Sequence, residues 1–323
     1  MHQFDSVCIG SAKIDIFLSV PKDSPYVHLD KKTNNLSVTY GQKIPVKECS
    51  LMLGGNACNV SVGLSKLKIK TAIMAKVGKD EFSQKIINTL MSENVNSDFL
   101  IRSPDSPSSF SVILSYEKDR TIFGEHFARK HDFSFENLST KSIYLTSLGE
   151  TWKNAYEKTL EFVKKTNTPL FFNPGSLQMK SGYAGIKEVL ISTDILFLNK
   201  EEAQQILNIN SAMQNQASTM QELLNSLREL GPKTAIITDG KNGSFAQNKK
   251  GEFFSEPIAP ALVIEKTGAG DAYASGFLAA ILSNLPLQTA MKWGTLNAAS
   301  TMSAIGAQNG LLSRVKIEEK ANE

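Results

Sequence analysis

The chain has few of the residues that build disulfide frameworks or metal sites. Its 323 residues include three cysteines and four histidines. Three is an odd number and no Cys-x-x-Cys pair occurs, which argues against a disulfide framework and against a zinc site. We therefore interpret Cys8, Cys49 and Cys58 as small buried hydrophobic residues. The motif His-Glu-x-x-His is also absent, so the sequence disfavours a metal hydrolase.

The chain also lacks a strong excess of charge and long apolar runs. Its 35 basic and 32 acidic side chains leave a net charge of +3, too small an excess to predict a nucleic acid or an anionic membrane as partner. The longest mainly apolar runs, such as 276–282, are far shorter than the roughly 20 residues of a membrane-spanning helix. Residues 1–10 contain no basic segment followed by an apolar one, so no secretory signal is predicted and we expect a cytoplasmic location.

The chain does contain a regular alternation of two patterns. Short apolar runs rich in β-branched residues alternate with stretches such as 81–94, in which apolar residues recur at helical spacing. Strands are predicted at 7–10, 14–20, 71–77, 142–145, 169–173, 194–199 and 234–238, and further helices at 153–164, 218–230 and 271–282. This alternation predicts an α/β fold, with a mostly parallel central sheet that helices cover on both faces.

Two stretches depart from this alternation. Residues 36–46 and 110–123 carry β-branched and aromatic side chains, and no helical pattern lies within them. They predict antiparallel ribbons that form a small β appendage on the α/β body. The polar segment 208–218 is predicted to be a surface loop before a helix.

The most informative segment is KTGAGD at 266–271, which follows a strand-like stretch at 262–264 and leads into a helical pattern. Glycines at a turn from strand to helix leave several backbone N–H groups free to bind an anion, and the helix dipole adds to the attraction. Asp271 then has two interpretations. It is either a helix N-cap, or a general base that takes a proton from a hydroxyl group while Gly268, Ala269 and Gly270 hold a phosphoryl group.

Two familiar nucleotide-binding signatures are missing. No Gly-x-x-x-x-Gly-Lys-Ser/Thr motif occurs, so the chain is not predicted to be a P-loop enzyme. Gly268 and Gly270 could begin a Gly-x-Gly-x-x-Gly motif, but its third glycine position is Tyr273, and the match lies far from the first strand. A dinucleotide-dependent dehydrogenase is therefore disfavoured.

A second segment, GGNACN at 54–59, precedes another helical pattern. Gly54 and Gly55 allow a positive φ angle or a close approach of the backbone. The amides of Asn56 and Asn59 offer donors and acceptors that suit the hydroxyl groups of a sugar. Taken alone, the segment fits a glycine-rich turn with asparagine caps equally well.

These two segments, in this order, resemble the ribokinase/PfkB family of carbohydrate kinases, and the resemblance extends over nearly the whole chain. It implies a single domain over residues 1–323 with a ribokinase-like three-layer α/β/α fold. A β-stranded lid would use strands from approximately 12–20, 36–46 and 110–125. It also implies ATP-dependent transfer of the γ-phosphoryl group to a carbohydrate hydroxyl, with Asp271 as general base. The family further implies Mg²⁺, in many members a monovalent cation such as K⁺ beside residues 304–308, and often a homodimer formed through the lid.

The resemblance also implies roles for single residues. It assigns acceptor binding to Asp15, Gly54, Gly55, Asn56 and Asn59. It assigns contacts with the nucleotide to Asn173, Asn199, Thr238, Gly240, Gly243 and Asn297. In the segment NKEE at 199–202, Glu202 is implied to hold Mg²⁺ through water molecules.

The acceptor stays open at this stage. Asn56 stands where ribokinases usually carry lysine, so ribose is not implied. A nucleoside acceptor would stack on lid aromatics, for which the candidates are Phe110, Phe123 and Phe127, although such residues also pack in β ribbons as core. A phosphosugar would need a basic cluster, for which the candidates are Arg120, Arg129 and Lys130. A non-catalytic sugar or nucleotide sensor is the remaining alternative, and the Gly-Ala-Gly-Asp segment argues against it because a sensor needs no base.

Overall fold

The computed structural model describes residues 3–117, 119–124, 127, 129–208 and 219–323. Apart from residue 208, the surface loop predicted at 208–218 lies outside these described residues. In chain order the elements are β1 (Ser6–Ile9), β2 (Lys13–Ser19), β3 (Val27–Asp30), β4 (Asn35–Val38), β5 (Glu48–Gly54), α1 (Asn56–Lys66), β6 (Thr71–Gly78), α2 (Glu81–Ser92), β7 (Asn96–Ser103), β8 (Phe110–Tyr116), β9 (Asp119–Gly124), β10 (Ile143–Leu145), α3 (Trp152–Thr166), β11 (Leu170–Phe172), α4 (Ser176–Lys180), α5 (Gly182–Ser192), β12 (Ile195–Asn199), α6 (Lys200–Ile206), α7 (Met220–Glu229), β13 (Thr234–Thr238), β14 (Ser244–Gln247), β15 (Phe253–Glu256), α8 (Ala269–Leu282), α9 (Leu287–Met302) and α10 (Arg314–Asn322).

The central sheet has nine strands in the order β15-β14-β13-β12-β11-β10-β1-β6-β7. Neighbouring strands from β7 through β13 are parallel, and β14 and β15 extend the sheet antiparallel at one edge. Side chains of β1 alternate between two cores: Cys8 packs into the one that includes α1, α8 and α9, while Val7 and Ile9 pack into the one that includes α3, α5 and α7. The predicted α/β fold, with helices on both faces of a mostly parallel sheet, is confirmed.

The small second sheet differs in part from the predicted lid: β2–β5 and β8–β9 are antiparallel pairs, but β2 and β8 run parallel. Its strand order is β5-β2-β8-β9, so it contains the hairpin over 110–124 and the strand near 12–20. Residues 36–46 do not belong to it, because β4 pairs with β3 in a separate two-stranded hairpin and no strand covers 39–47. The fourth strand is β5, which leads directly into the Gly54-Gly55 turn. We call the four-stranded sheet the lid sheet below.

Several further details differ from the sequence-based expectations. Residues 262–264, expected to be strand-like, form no strand. Cys8 and Cys58 are buried as expected, but Cys49 is exposed on β5.

Among the described residues, no helix combines the length and the apolar character needed to cross a bilayer.

The parallel strands bring the predicted site residues to one edge of the sheet. The carboxyl ends of β1, β10, β11, β12 and β13 lie side by side, because these strands run in the same direction in neighbouring positions. Open α/β sheets bind ligands at this edge, where the loops after the strands converge. Ser11, Ser147, Asn173, Asn199 and Thr238 all stand at or just beyond these strand ends.

Candidate active site

The amino terminus of α8 forms the centre of the site. Its N-cap is Gly268, with φ 78°. No described side chain caps the helix by a hydrogen bond to its first N–H groups. A Cβ atom on Gly268 would overlap the Cβ of Ala307 and lie 2.7 Å from its Cα, so this close approach and the positive φ both require glycine. Asp271 is the third residue of the helix, and its interpretation as the N-cap is therefore wrong.

The Asp271 carboxylate is buried and is held by two asparagine amides from α1. Asn59 Nδ2 donates to one of its oxygens at 2.8 Å, and Asn56 Nδ2 donates to the other at 3.1 Å. Burial raises the pKa of Asp271 to about 6; the two amides and Lys13 counteract this rise, while the nearby Asp15 adds to it. The carboxylate is thus ionised at neutral pH and remains a usable base.

Other residues fix which end of each amide faces Asp271. Ser147 Oγ donates to Asn56 Oδ1 at 2.9 Å, and Gln308 Nε2 donates to Asn59 Oδ1 at 2.9 Å. Because each amide oxygen is already engaged, the NH₂ group of each asparagine points at the carboxylate. Ser147 and Gln308 were missed in the sequence, since they are distant in the chain and carry no motif.

The Gly54-Gly55 turn joins α1 to the lid sheet around Asp15. A Cβ on Gly54 would overlap the Asp15 carboxylate. Gly55 has φ 94°, and a Cβ on it would lie only 2.5 Å from the carbonyl oxygen of Ser11. The Asp15 carboxylate is buried and lies 3.9 Å from Lys13 Nζ. Burial raises its pKa, and Lys13 and Ser111 partly offset that effect.

Two adjoining cavities, of about 170 and 220 Å³, lie along the amino-terminal turn of α8. Thr238, Ala269, Gly270 and Tyr273 line both of them. The smaller one is also lined by Gly240 and Gly243. The larger one is also lined by Asn56, Asn173, Asn199, Glu202, Gly268 and Asp271. Together they form one elongated recess that begins at Asp271 and has the size of a small-molecule site.

Asn297 is the one predicted nucleotide residue that the structure keeps out of this recess. Its side chain is fully buried, donates to Ala272 O at 2.9 Å and to Ser275 Oγ at 3.1 Å, and accepts from the Leu312 N–H at 2.9 Å. It therefore ties α9 to α8. Its helix neighbours Thr295 and Ala298 line the recess instead.

Comparisons with known proteins identify the family of the chain. The family model described as pfkB family carbohydrate kinase matches residues 4–314. The chain belongs to this family. The kinase is therefore a phosphotransferase with a sugar hydroxyl as acceptor, and membership implies the use of ATP.

Individual relatives are distant but cover most of the chain. A 5-dehydro-2-deoxygluconokinase from Geobacillus kaustophilus is 22% identical over 285 residues, which is 83% of this chain and 84% of that protein. A nucleoside kinase of the ribokinase family from Methanocaldococcus jannaschii superposes with a TM-score of 0.79 at 22% identity, covering 100% of this chain and 99% of that one. Arabidopsis thaliana ribokinase, complexed with ribose and ATP, gives a TM-score of 0.79 at 19% identity and full coverage of both chains. At these identities the structures establish the ribokinase fold of the kinase.

Glu202 suits a magnesium ion that is held mainly by phosphate oxygens and water. Asn199 and Glu202 form a capping box at the start of α6, in which Glu202 Oε2 accepts the Asn199 N–H at 2.9 Å and Asn199 Oδ1 accepts the Glu202 N–H at 2.8 Å. The carboxylate lines the larger cavity, and burial raises its pKa. Within the described part of the chain no cluster of three or more His, Cys, Asp or Glu could hold a metal ion. One carboxylate together with phosphates and waters is a common way to bind Mg²⁺.

The three phenylalanines considered for stacking on a base have different surroundings. Phe110 packs edge-on against Phe82, with 6.2 Å between ring centroids. Phe123 is exposed on β9 at the edge of the lid sheet. Phe127 lines a small cavity on the acceptor side, where the Arg129 guanidinium lies 5.6 Å from its ring centroid. Of the three, Phe127 therefore lies beside the β1–β2 connection that leads to Asp15.

An ion pair joins the lid sheet to the segment that precedes α8. Arg120 on β9 places its Nε 3.3 Å from Glu265 Oε1, and the same oxygen accepts the Thr267 N–H at 2.7 Å. Glu265 is buried, whereas Arg120 is partly exposed. The position of β9 is thus connected to the loop that leads into Gly268.

Proposed function

We propose that the kinase transfers the γ-phosphoryl group of ATP to a hydroxyl group of a carbohydrate, with Asp271 as general base. The observation that carries this proposal is the position of the Asp271 carboxylate. It lies at the amino terminus of α8, borders the elongated recess, and is held by Asn56 and Asn59 on the side of the Gly54-Gly55 turn. A base with a pKa of about 6 is well matched to proton transfer at neutral pH.

In this mechanism the nucleotide occupies the recess and directs its γ-phosphoryl group at α8. The backbone N–H groups from Gly268 to Gly270 stabilise the charge on the phosphoryl oxygens. The acceptor hydroxyl gives its proton to Asp271 and its oxygen attacks phosphorus, while ADP leaves. Asp15 accepts a hydrogen bond from another acceptor hydroxyl, and each asparagine amide carries a second N–H for the same purpose.

Glu202 is proposed to hold Mg²⁺ through water in the larger cavity. When bound, the ion neutralises charge on the β- and γ-phosphates. Gly240 and Gly243 then contact the distal part of the nucleotide, because they line the smaller cavity, and Thr238 contacts its middle part, because it lines both cavities.

A screen of acceptors tests this proposal. ADP formation is measured with a coupled enzyme assay in the presence of pentoses, hexoses, ketoses, sugar acids, phosphosugars or nucleosides. We expect at least one carbohydrate class to stimulate ADP formation well above the rate with water alone. Binding of ATP and sugars with no turnover would instead indicate a sensor and would contradict the proposal.

The pH dependence of the reaction follows from the raised pKa of Asp271. The carboxyl must be ionised to accept a proton, and it holds its own proton up to a pH of about 6 rather than the ordinary 3.8. We therefore expect kcat/KM to fall about tenfold per pH unit below 6 and to be level above it. Circular dichroism at each pH controls for unfolding. A profile that stays level down to pH 3.8 would rule out this carboxyl as the base.

A further inference from the structure

A small cavity lies next to Asn56, on the proposed acceptor side of the site. It is lined by the β1–β2 connection (Gly10, Ser11, Ala12 and Lys13), by Lys76 on β6, by Leu148 and Gly149 after β10, and by Ser109, Phe127, Arg129 and His131. Ser11 Oγ accepts the Asn56 N–H at 3.2 Å, and Asn56 in turn donates to Asp271. One residue therefore separates this cavity from the base.

The charged groups that line the cavity are all basic. Lys13, Lys76 and Arg129 contribute three cations, and none of its lining residues in the described chain is an Asp or Glu. The carboxylates that interact with these cations lie outside it: Asp15 is 3.9 Å from Lys13 Nζ, the half-exposed Asp132 is 3.0 Å from Lys76 Nζ, Asp271 also interacts with Lys13, and Asp80 interacts with Arg129. No carboxylate among the described residues lines the cavity itself, so an anionic group bound inside it would face these cations directly and meet no like charge.

The guanidinium of Arg129 is held firmly beside the cavity. Its Nε donates to Ser106 Oγ and its Nη1 donates to Ser109 Oγ, each at 2.9 Å, and its Nη2 donates to the Pro107 carbonyl. The side chain is buried, so its charge acts in a region with little water to screen it. A fixed cation of this kind adds to binding without a large loss of side-chain freedom.

His131 lines the same cavity and is the clearest sign of a missing ligand. Its side chain is only 5% exposed, and neither ring nitrogen has a hydrogen-bond partner in the described chain. Burial, Arg129 and Lys76 lower its pKa to about 4, so the imidazole is neutral at pH 7 and offers one N–H donor. Buried polar groups in folded proteins nearly always have partners. An acceptor group bound in the cavity would supply one.

We infer that this cavity binds a carboxylate of the acceptor, so that the kinase acts on a sugar acid; this inference rests on the proposed function. The carboxylate lies among Lys13, Lys76 and Arg129 and accepts the N–H of His131, while a hydroxyl elsewhere on the acceptor faces Asp271. The cavity has a volume of about 20 Å³. That is room for roughly one or two water-sized atoms, which suits a planar carboxylate better than a tetrahedral phosphoryl group.

The charge requirement is tested with matched acceptors. Sugar acids are compared with the corresponding neutral sugars, in which an alcohol replaces the carboxylate, and with phosphosugars of the same carbon skeleton. Hydrogen bonds to charged groups are the strong ones, so we expect the sugar acid to have a KM about 10- to 100-fold lower than the neutral sugar. The KM for ATP should be the same with both acceptors.

Two variants test the residues themselves. His131→Leu removes both ring nitrogens and keeps a side chain of similar volume. Gly149→Val fills the cavity with a new side chain, because even a Cβ at residue 149 would lie 3.9 Å from His131 Nε2. Each variant is expected to raise the KM for the sugar acid about tenfold or more and to leave the KM for ATP unchanged. His131→Leu should not lower Tm, because it removes an unsatisfied buried polar group.

Lys130→Met is the matched control for the loss of a nearby basic residue. Lys130 is exposed and does not line the cavity, so this variant should keep the wild-type KM for every acceptor. Lys76→Met removes a positive charge from the cavity wall and should raise the KM for the sugar acid only. Equal effects of the two lysine variants would overturn the inference.

The remaining outcomes separate the inference from the proposed function. If no acceptor class is phosphorylated, the proposed function fails; calorimetric binding of sugar acids that is lost in His131→Leu would still support the carboxylate site. If neutral sugars or nucleosides are the better acceptors, and the variants raise the KM for charged and neutral acceptors equally, the inference fails while the kinase function stands. If phosphosugars have the lowest KM, the cavity binds a phosphoryl group and the assignment to sugar acids is wrong.

Discussion

Replacing Asp271 with asparagine is expected to lower kcat by roughly 10²- to 10⁴-fold, the usual effect of losing a general base. The new side chain has the same shape and keeps one oxygen as acceptor for an Asn56 or Asn59 amide. It cannot take a proton from the acceptor hydroxyl. Binding of ATP should change little, because the backbone N–H groups at the start of α8 remain. The kcat comes from the coupled assay, and ATP affinity and Tm come from calorimetry.

Two comparisons sharpen the result for Asp271→Asn. Asp98→Asn makes the same chemical change at an exposed position on β7 and should leave kcat unaltered. The residual activity of Asp271→Asn should also lose the inflection near pH 6. A folded variant that turns over at close to the wild-type rate would remove Asp271 from the mechanism.

Replacing Gly268 with alanine is expected to lower kcat by about 10²-fold or more, although no functional group is lost. A non-glycine residue at φ 78° costs about 1–2 kcal/mol in backbone energy. The new Cβ also overlaps the Cβ of Ala307 and lies 2.7 Å from its Cα, so the loop must move. That movement displaces the N–H groups aimed at the phosphoryl oxygens, and loss of one such donor typically costs about 10²- to 10³-fold in kcat.

Gly251→Ala is the matched control for this substitution. Gly251 has a similar φ of 82°, but no atom lies within 4 Å of where its Cβ would be. It should therefore show the backbone cost as a lower Tm and retain the wild-type kcat. If both variants lower kcat to the same extent, the close approach of Gly268 to Ala307 has no functional role.

The parts of the site that the sequence predicts are those that depend on local backbone geometry. The glycines of GAGD and GGNACN mark turns that only glycine tolerates well, and each turn leads into a helix. The alternation of apolar runs and helical patterns then places both turns at one edge of a parallel sheet. The hydrogen bonds from Asn56 and Asn59 to Asp271 join residues 215 and 212 positions apart in the chain.

The parts that the sequence does not predict depend on tertiary contacts. Ser147 and Gln308 are ordinary polar residues until the fold places them against the asparagine amides. Asn297 was interpreted as a nucleotide contact, but its position around α9 turns it towards α8, where buried polar groups need partners. Strand β5 was not predicted, because its short apolar run ends directly at the Gly54-Gly55 turn. Its extended conformation depends on the pairing with β2, which is a tertiary contact.

If phosphates bind at the start of α8 as proposed, the Arg120–Glu265 ion pair couples the position of the lid sheet to the charge of the nucleotide. If β9 moved away, the buried Glu265 carboxylate would lose its cation and would stand unneutralised beside the loop that leads into Gly268. Electrostatic repulsion would then oppose phosphate binding at the start of α8, so we expect tighter nucleotide binding when Arg120 is in place. Because such coupling is reciprocal, we expect a bound nucleotide to favour the position of the lid sheet in which Arg120 pairs with Glu265.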